Sequence, residues 1–245
     1  YDVFIIQGMG SRRWRVGDKL PMRQFCPHPA LLHVDPFPPI IDEDLQPGDI
    51  LYIPPGFPHD GITHETALNY SVGFRGPNGR DLISSFADYV LENDLGGEHY
   101  SDPDLTCREH PGRVEEYELE RLRGMMIDMI RQPEDFKQWF GSFVTTPRHE
   151  LDIAPAEPPY EEEEVVDALL GGEKLSRLSG LRVLHIGDSF FVHSEQLDTT
   201  DAEALDALCR YTSLGQEELG SGLQNPAFVS ELTRLINQGY WYFEE

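Results

Sequence analysis

The stretch Pro47 to His59 reads P-G-D-I-L-Y-I-P-P-G-F-P-H, and its last residue is the best-presented metal-ligand candidate in the chain. Pro fixes φ and Gly accepts positive φ, so Pro47-Gly48-Asp49 makes a tight turn into a short strand, Ile50 to Ile53. Pro54-Pro55-Gly56 ends that strand rigidly, and Phe57-Pro58 present His59 from a stiff loop. A ligand held this firmly keeps the metal affinity that a loose imidazole loses. Imidazole suits iron, zinc, copper or nickel. The expectation is a metal-ligating His59 at the mouth of a small β-barrel. A lone histidine at a loop end would more simply hydrogen-bond there; the phrase around it favours the ligand.

Asn69 and Ser71 alternate with Tyr70 in a strand-like run and so share one face. They line the barrel interior and contact a cosubstrate or substrate, or they are hydrogen-bonded core groups; the residues leave both open. His64 lies on the same loop as His59, as a supporting group or as nothing. Cys26, His28 and His33 in C-P-H-P-A-L-L-H have ligand-like spacing, but the prolines exclude the helix it would need. A loop with surface histidines is expected there. No phosphate loop, Ser-His-Asp arrangement or glycine fingerprint appears.

These candidates need strands to hold them, and Tyr1 to Arg75 reads as β. The runs are Val3 to Ile6, Arg12 to Gly17, Asp49 to Ile53 and Leu68 to Phe74, punctuated by Gly/Pro turns. Short strands of this kind indicate a barrel or sandwich. The first begins at residue 1 with no lead-in, which suggests a sheet continuing in sequence outside this chain. A helical region follows: Arg80 to Asn93, then a stripe through Val114, Tyr117, Leu122, Met125, Met126, Met129 and Ile130. The stripe covers its own core or forms a subunit interface. Ile153 to Glu164 reads as a linker whose acidic run caps a helix to Leu170. Beyond it come a hairpin (Leu181 to Ile186, Ser189 to His193, turned at Gly187-Asp188), helices from Thr200 to Tyr211 and from Pro226 to Gln238, and a packing Y-W-Y-F. Helices around one hairpin fit a winged-helix module. The domain boundaries expected are 1–78, 79–150 and 151–245.

The balance of 44 acidic to 19 basic residues, net −25, repels nucleic acid and attracts basic partners. Solubility alone would also account for it. Direct DNA binding by the winged helix is therefore not expected. No apolar run is long enough to cross a bilayer, so no membrane role is expected. The cysteines, Cys26, Cys107 and Cys209, have no paired spacing, which fits a reducing, cytoplasmic setting.

Taken together, Y-D-V-F-I-I-Q-G-M-G-S-R-R-W-R-V-G, P-G-D-I-L-Y-I-P-P-G-F-P-H and N-Y-S-V-G-F-R resemble the cupin superfamily, and within it the Jumonji-C-type 2-oxoglutarate oxygenases. More narrowly they resemble the bacterial ribosomal oxygenases, as do F-A-D-Y-V-L, G-G-E-H-Y-S-D-P-D, F-K-Q-W-F-G and R-H-E-L-D-I-A-P-A-E-P-P-Y. The resemblance implies a mixed β and α fold: the C-terminal part of a double-stranded β-helix, a helical dimerisation region and a winged helix. It implies an Fe(II)- and 2-oxoglutarate-dependent dioxygenase, using O2, that hydroxylates the β-carbon of an arginine in a large-subunit ribosomal protein. A basic ribosomal protein and a second copy of the chain are the implied partners.

Iron in this family is held by a His-x-Asp pair and a distal His. His59 matches the distal His. Arg12 matches the basic residue that clamps the far carboxylate of 2-oxoglutarate, a task suited to a planar guanidinium. Arg13, on the opposite strand face, takes that role if the register slips by one. The His-x-Asp pair is expected to be absent from these 245 residues, its place falling just ahead of Tyr1. That makes the chain an N-terminally truncated member, or a non-catalytic partner-binding and dimerisation module.

Overall fold

A computed structural model describes all residues except 29, 30, 104, 111, 198–200 and 245, and leaves out the side chains of 27, 28, 31 and 32. The chain forms two compact units, Tyr1–Leu82 and Ile83–Glu245.

The first unit contains β1 (Asp2–Met9), β2 (Arg12–Gly17), β3 (Gln24–His28), β4 (Leu31–Val34), β5 (Pro39–Leu45), β6 (Ile50–Ile53), β7 (His59–Thr63) and β8 (Leu68–Phe74). They assemble as two antiparallel three-stranded sheets, β6-β1-β8 and β5-β2-β7, with β3 and β4 as a separate hairpin. Alternation sends Ile5, Leu51 and Ile53 of the first sheet, and Trp14 and Val16 of the second, into one core. The turn before β6 forms as the residues require: Asp49 N–H donates to the Gln46 carbonyl at 2.9 Å, and Gly48 has φ +98°.

Two expectations change here. His59 is the first residue of a strand, not part of a loop, because its backbone pairs with Val16 of β2. Within the Cys26–His33 stretch, the described residues belong to the paired strands β3 and β4, not to a loop. Pro27 is tolerated there because the register between β3 and β4 shifts between Phe25 and His28, sparing its missing N–H a ladder position.

The second unit is helical and then mixed. Its elements are α1 (Gly79–Glu92, which begins in the first unit), α2 (Glu116–Arg131), α3 (Pro133–Thr145), α4 (Glu162–Leu170), β9 (Leu175–Arg177), β10 (Val183–Ile186), β11 (Ser189–Val192), β12 (Glu195–Gln196), α5 (Ala202–Arg210), β13 (Ser213–Leu214), α6 (Gln216–Leu219), α7 (Pro226–Asn237) and β14 (Trp241–Phe243). The sheets are β10-β11-β12 and β13-β9-β14. The expected hairpin pairs Val183 with Val192 and Ile186 with Ser189. The acidic run before α4 does cap it, Glu161 N–H donating to Glu164 Oε2 at 2.9 Å. Thr200, where a helix was expected to begin, lies outside the described residues; α5 starts at Ala202 with Asp201 as its cap. Trp241 and Phe228 are fully buried with Leu169, Leu205, Leu208 and Leu232. In the Y-W-Y-F stretch Tyr240 and Trp241 pack as expected, whereas Tyr242 is exposed, and the stretch also supplies β14. α3 lies on β10, β11 and β12, with Thr145 Oγ1 accepting from Ser194 N–H at 3.0 Å. No helix among the described residues is long and apolar enough to cross a membrane.

Candidate functional site

Residues directly opposite in an antiparallel pair point to the same face, so register decides what the candidates face. On β2 and β7, Val16 pairs with His59, Trp14 with Gly61 and Arg12 with Thr63. Trp14 and Val16 are core residues, so Arg12 and His59 share the inner face of that sheet. On β1 and β8, Ile5 pairs with Ser71 and Gln7 with Asn69. Ile5 and Gln7 are buried, so Asn69 and Ser71 lie on the inner face of the other sheet. Arg12 bridges the two sheets: its Nη1 donates to Asn69 Oδ1 at 2.6 Å.

The guanidinium is held on three sides. Nη2 donates to the Gly61 carbonyl at 3.1 Å, and Cζ sits 4.8 Å from the centroid of the Trp14 ring, a cation–π contact. Arg12 Nε remains buried without a partner, as do Trp14 Nε1 and Gln7 Oε1 on the same inner faces. A buried polar atom left unpaired costs about 1–3 kcal/mol. Two such donors beside a fixed cation are chemically suited to an anionic, hydrogen-bond-accepting ligand. A carboxylate fits that description, since a guanidinium edge offers it two parallel N–H donors.

Arg13 points the other way. Its Nε and Nη2 donate to both oxygens of Asp42 at 2.7 and 3.0 Å on the exposed face. That hydrogen bond, first among the causes, holds the Asp42 carboxyl below the usual range. Arg13 is committed to this pair.

His59 Nδ1 lies 3.1 Å from the Phe57 carbonyl. A carbonyl can only accept, so Nδ1 is the donor in this contact, which leaves Nε2 as the ring atom a metal would use. The Trp14 ring is 6.2 Å away, centroid to centroid. His59 does not complete a metal centre: among the described residues no group of three His, Cys, Asp or Glu side chains could hold an ion. One His-x-Asp spacing does occur, His33-Val34-Asp35, which corrects the expectation that the chain has none. His33 sits on β4, its ring 5.8 Å from that of Phe25 across the hairpin. Cys26 is an exposed free thiol of that hairpin; the His28 side chain lies outside the described residues. His64 is exposed, just past the end of β7.

Sequence reasoning missed Trp14 and Gly61. The available signal was the H-D-G of residues 59 to 61, which places His59 and Gly61 on one face once β7 is recognised as a strand.

Residues 1–82 match the JmjC domain family, and residues 128–242 match the ROXA-like winged helix. By its parts, then, the chain is similar to a JmjC segment joined to a ROXA-like winged helix. Over its whole length the chain is similar to the ribosomal oxygenases. It is 60% identical over 244 residues to the ribosomal protein uL16 3-hydroxylase of Escherichia coli strain K12, and spans 65% of that protein's length. It is 27% identical over 238 residues to a probable ribosomal oxygenase of Haemophilus influenzae, spanning 56% of its length. Among solved structures, E. coli YcfD matches all of this chain with a TM-score of 0.96 at 60% identity, the match covering 66% of YcfD. YcfD in complex with cobalt and 2-oxoglutarate matches with a TM-score of 0.92 at 57% identity, covering 65% of that chain. The mixed architecture expected from the sequence, part of a JmjC barrel followed by helices and a winged helix, is borne out.

Proposed function

We propose that this chain supplies the distal metal ligand, His59, and the carboxylate clamp, Arg12, of an Fe(II)- and 2-oxoglutarate-dependent protein hydroxylase. The carrying observation is the shared inner face on which the register sets Arg12, with its unpaired buried Nε, and His59, with its available Nε2. Arg12 takes the far carboxylate of 2-oxoglutarate. Asn69 steadies the guanidinium and Ser71 lines the same chamber. The substrate is an arginine, hydroxylated at its β-carbon, in a basic large-subunit ribosomal protein, in keeping with the uL16 3-hydroxylase relative. O2 is the co-oxidant, the setting is cytoplasmic, and the working form is a homodimer built on the helical region, 79–150. The other divisions are 1–78 for the barrel segment and 151–245 for the winged helix. His59 alone holds no iron, so this reading requires two further ligands.

A second reading, a non-catalytic partner-binding or dimerisation module, is favoured by one observation: the described residues contain no three-ligand metal cluster. Incubation with Fe(II), 2-oxoglutarate and a peptide of the ribosomal protein separates the two. The first reading expects succinate release and an added oxygen on the peptide, both reduced to background by His59→Ala. Equal background signals from the parent protein and the variant would leave only the module.

A further inference from the structure

Gly61 occupies the inner-face position of β7 across from Trp14, between the pairs Arg12–Thr63 and Val16–His59. Glycine weakens a strand interior, and the φ of Gly61 is not in the left-handed region, so the backbone does not require it. What requires it is Arg12. A Cβ at Gly61 would lie 2.7 Å from Arg12 Nε and 3.0 Å from both Cζ and Nη2. The guanidinium therefore rests against a bare Cα. It reaches one cross-strand pair beyond its own, toward His59, and is tied there by the Gly61 carbonyl and Asn69.

We propose that Gly61 is a positioning residue for Arg12: its missing side chain lets the guanidinium lie flat along the sheet floor. There the cation faces the remote carboxylate of a dicarboxylate whose other end lies on the His59 side. This inference rests on the reading of Arg12 as the carboxylate clamp. Asn69, on the same argument, acts through Arg12 and not on the ligand. The specificity that results is for a diacid over a monoacid, because only the second carboxylate meets the clamp.

The test combines stability with binding, using the protein that carries its complete site. In a double-mutant cycle, Gly61→Ala lowers Tm in the parent but leaves it unchanged or raised in the Arg12→Ala background, where the added methyl has nothing to displace. In titration calorimetry, Gly61→Ala weakens 2-oxoglutarate by about tenfold or more, the scale of one lost charge-assisted contact. Binding of the monoacid 2-oxobutanoate stays unchanged. Asn69→Ala moves affinity the same way by a smaller factor. Equal Tm changes from Gly61→Ala in both backgrounds would overturn the inference, as would equal losses for diacid and monoacid. A parent that binds both acids alike, with the Tm cycle still non-additive, would instead remove the clamp reading and leave the Gly61–Arg12 contact standing.

Discussion

Arg12 and Arg13 are neighbours of identical chemistry with opposite fates, because a strand alternates its side chains between two faces. Arg12 is turned onto the inner face beside Trp14 and held by Asn69; Arg13 is spent on an exposed pair with Asp42. A similar contrast separates the three cysteines. Cys26 and Cys107 are exposed, whereas Cys209 is partly buried against the second unit's core. Burial pushes the Cys209 thiol up to about 11, with Asp206 adding to the rise and Arg177 opposing it. Only the thiolate alkylates readily. Near pH 8, iodoacetamide should therefore modify Cys26 and Cys107 in the native protein and Cys209 only after denaturation, as read by peptide mass mapping. Equal labelling of Cys209 in the native protein would contradict its burial.

Among the elements, α2 is the one whose sequence stripe does not cover a core of its own. None of its residues is buried, and Leu119, Leu122, Met126 and Ile130 are 45–65% exposed. The helix is nonetheless anchored at its start: Glu118 Oε2 accepts from Glu115 N–H at 2.7 Å, and Arg108 grips both Glu118 oxygens at 2.7 and 2.8 Å. The groove beside it, lined by Phe86, Val90, Leu95, Met125 and Met129, adds apolar surface of an adaptable kind. A subunit interface would use this face, and burying two such side chains would supply about 3–6 kcal/mol. Leu122→Glu with Met126→Glu should therefore convert a dimer to a monomer in light scattering while leaving Tm of the monomer unchanged. A parent that is already monomeric would refute the interface. The winged helix shows the reverse logic. The matched residues 128–242 contain Arg131, Lys137, Arg148, Lys174, Arg177, Arg182, Arg210 and Arg234 as their basic residues, and Arg131 and Lys137 pair with Asp128 and Glu134. Arg177 and Arg182 donate to backbone carbonyls, and Arg234 bridges Glu195 and Glu231. Little is left to meet phosphate.

At the scale of the molecule, a net charge of −25 sets long-range behaviour and not the fold. If a basic ribosomal protein is the partner, the field accelerates encounter and salt screens it. Raising ionic strength from about 0.05 M to 0.5 M should slow association by roughly tenfold, with little change in dissociation, in stopped-flow fluorescence. A salt-independent association rate would mean that the charge serves solubility alone.

The sequence by itself determined the β-then-helical order, the strands β1, β2, β6 and β8, the capped α4 and the wing hairpin, because each is written in local periodicity and turn chemistry. It also singled out His59 from its proline-stiffened approach and Asn69 and Ser71 from their alternation. Only tertiary structure decided the rest. β5 and β7 carry no strand pattern of their own: P-I-I-D-E-D-L and H-D-G-I-T become strands because β2 offers each an edge. With β7 in place, pairing register turns His59 inward, and a glycine in no way remarkable in the sequence becomes the surface on which Arg12 lies. Register is a relation between distant segments, Arg12 with Thr63 and Asn69 with Gln7, and no local pattern encodes it.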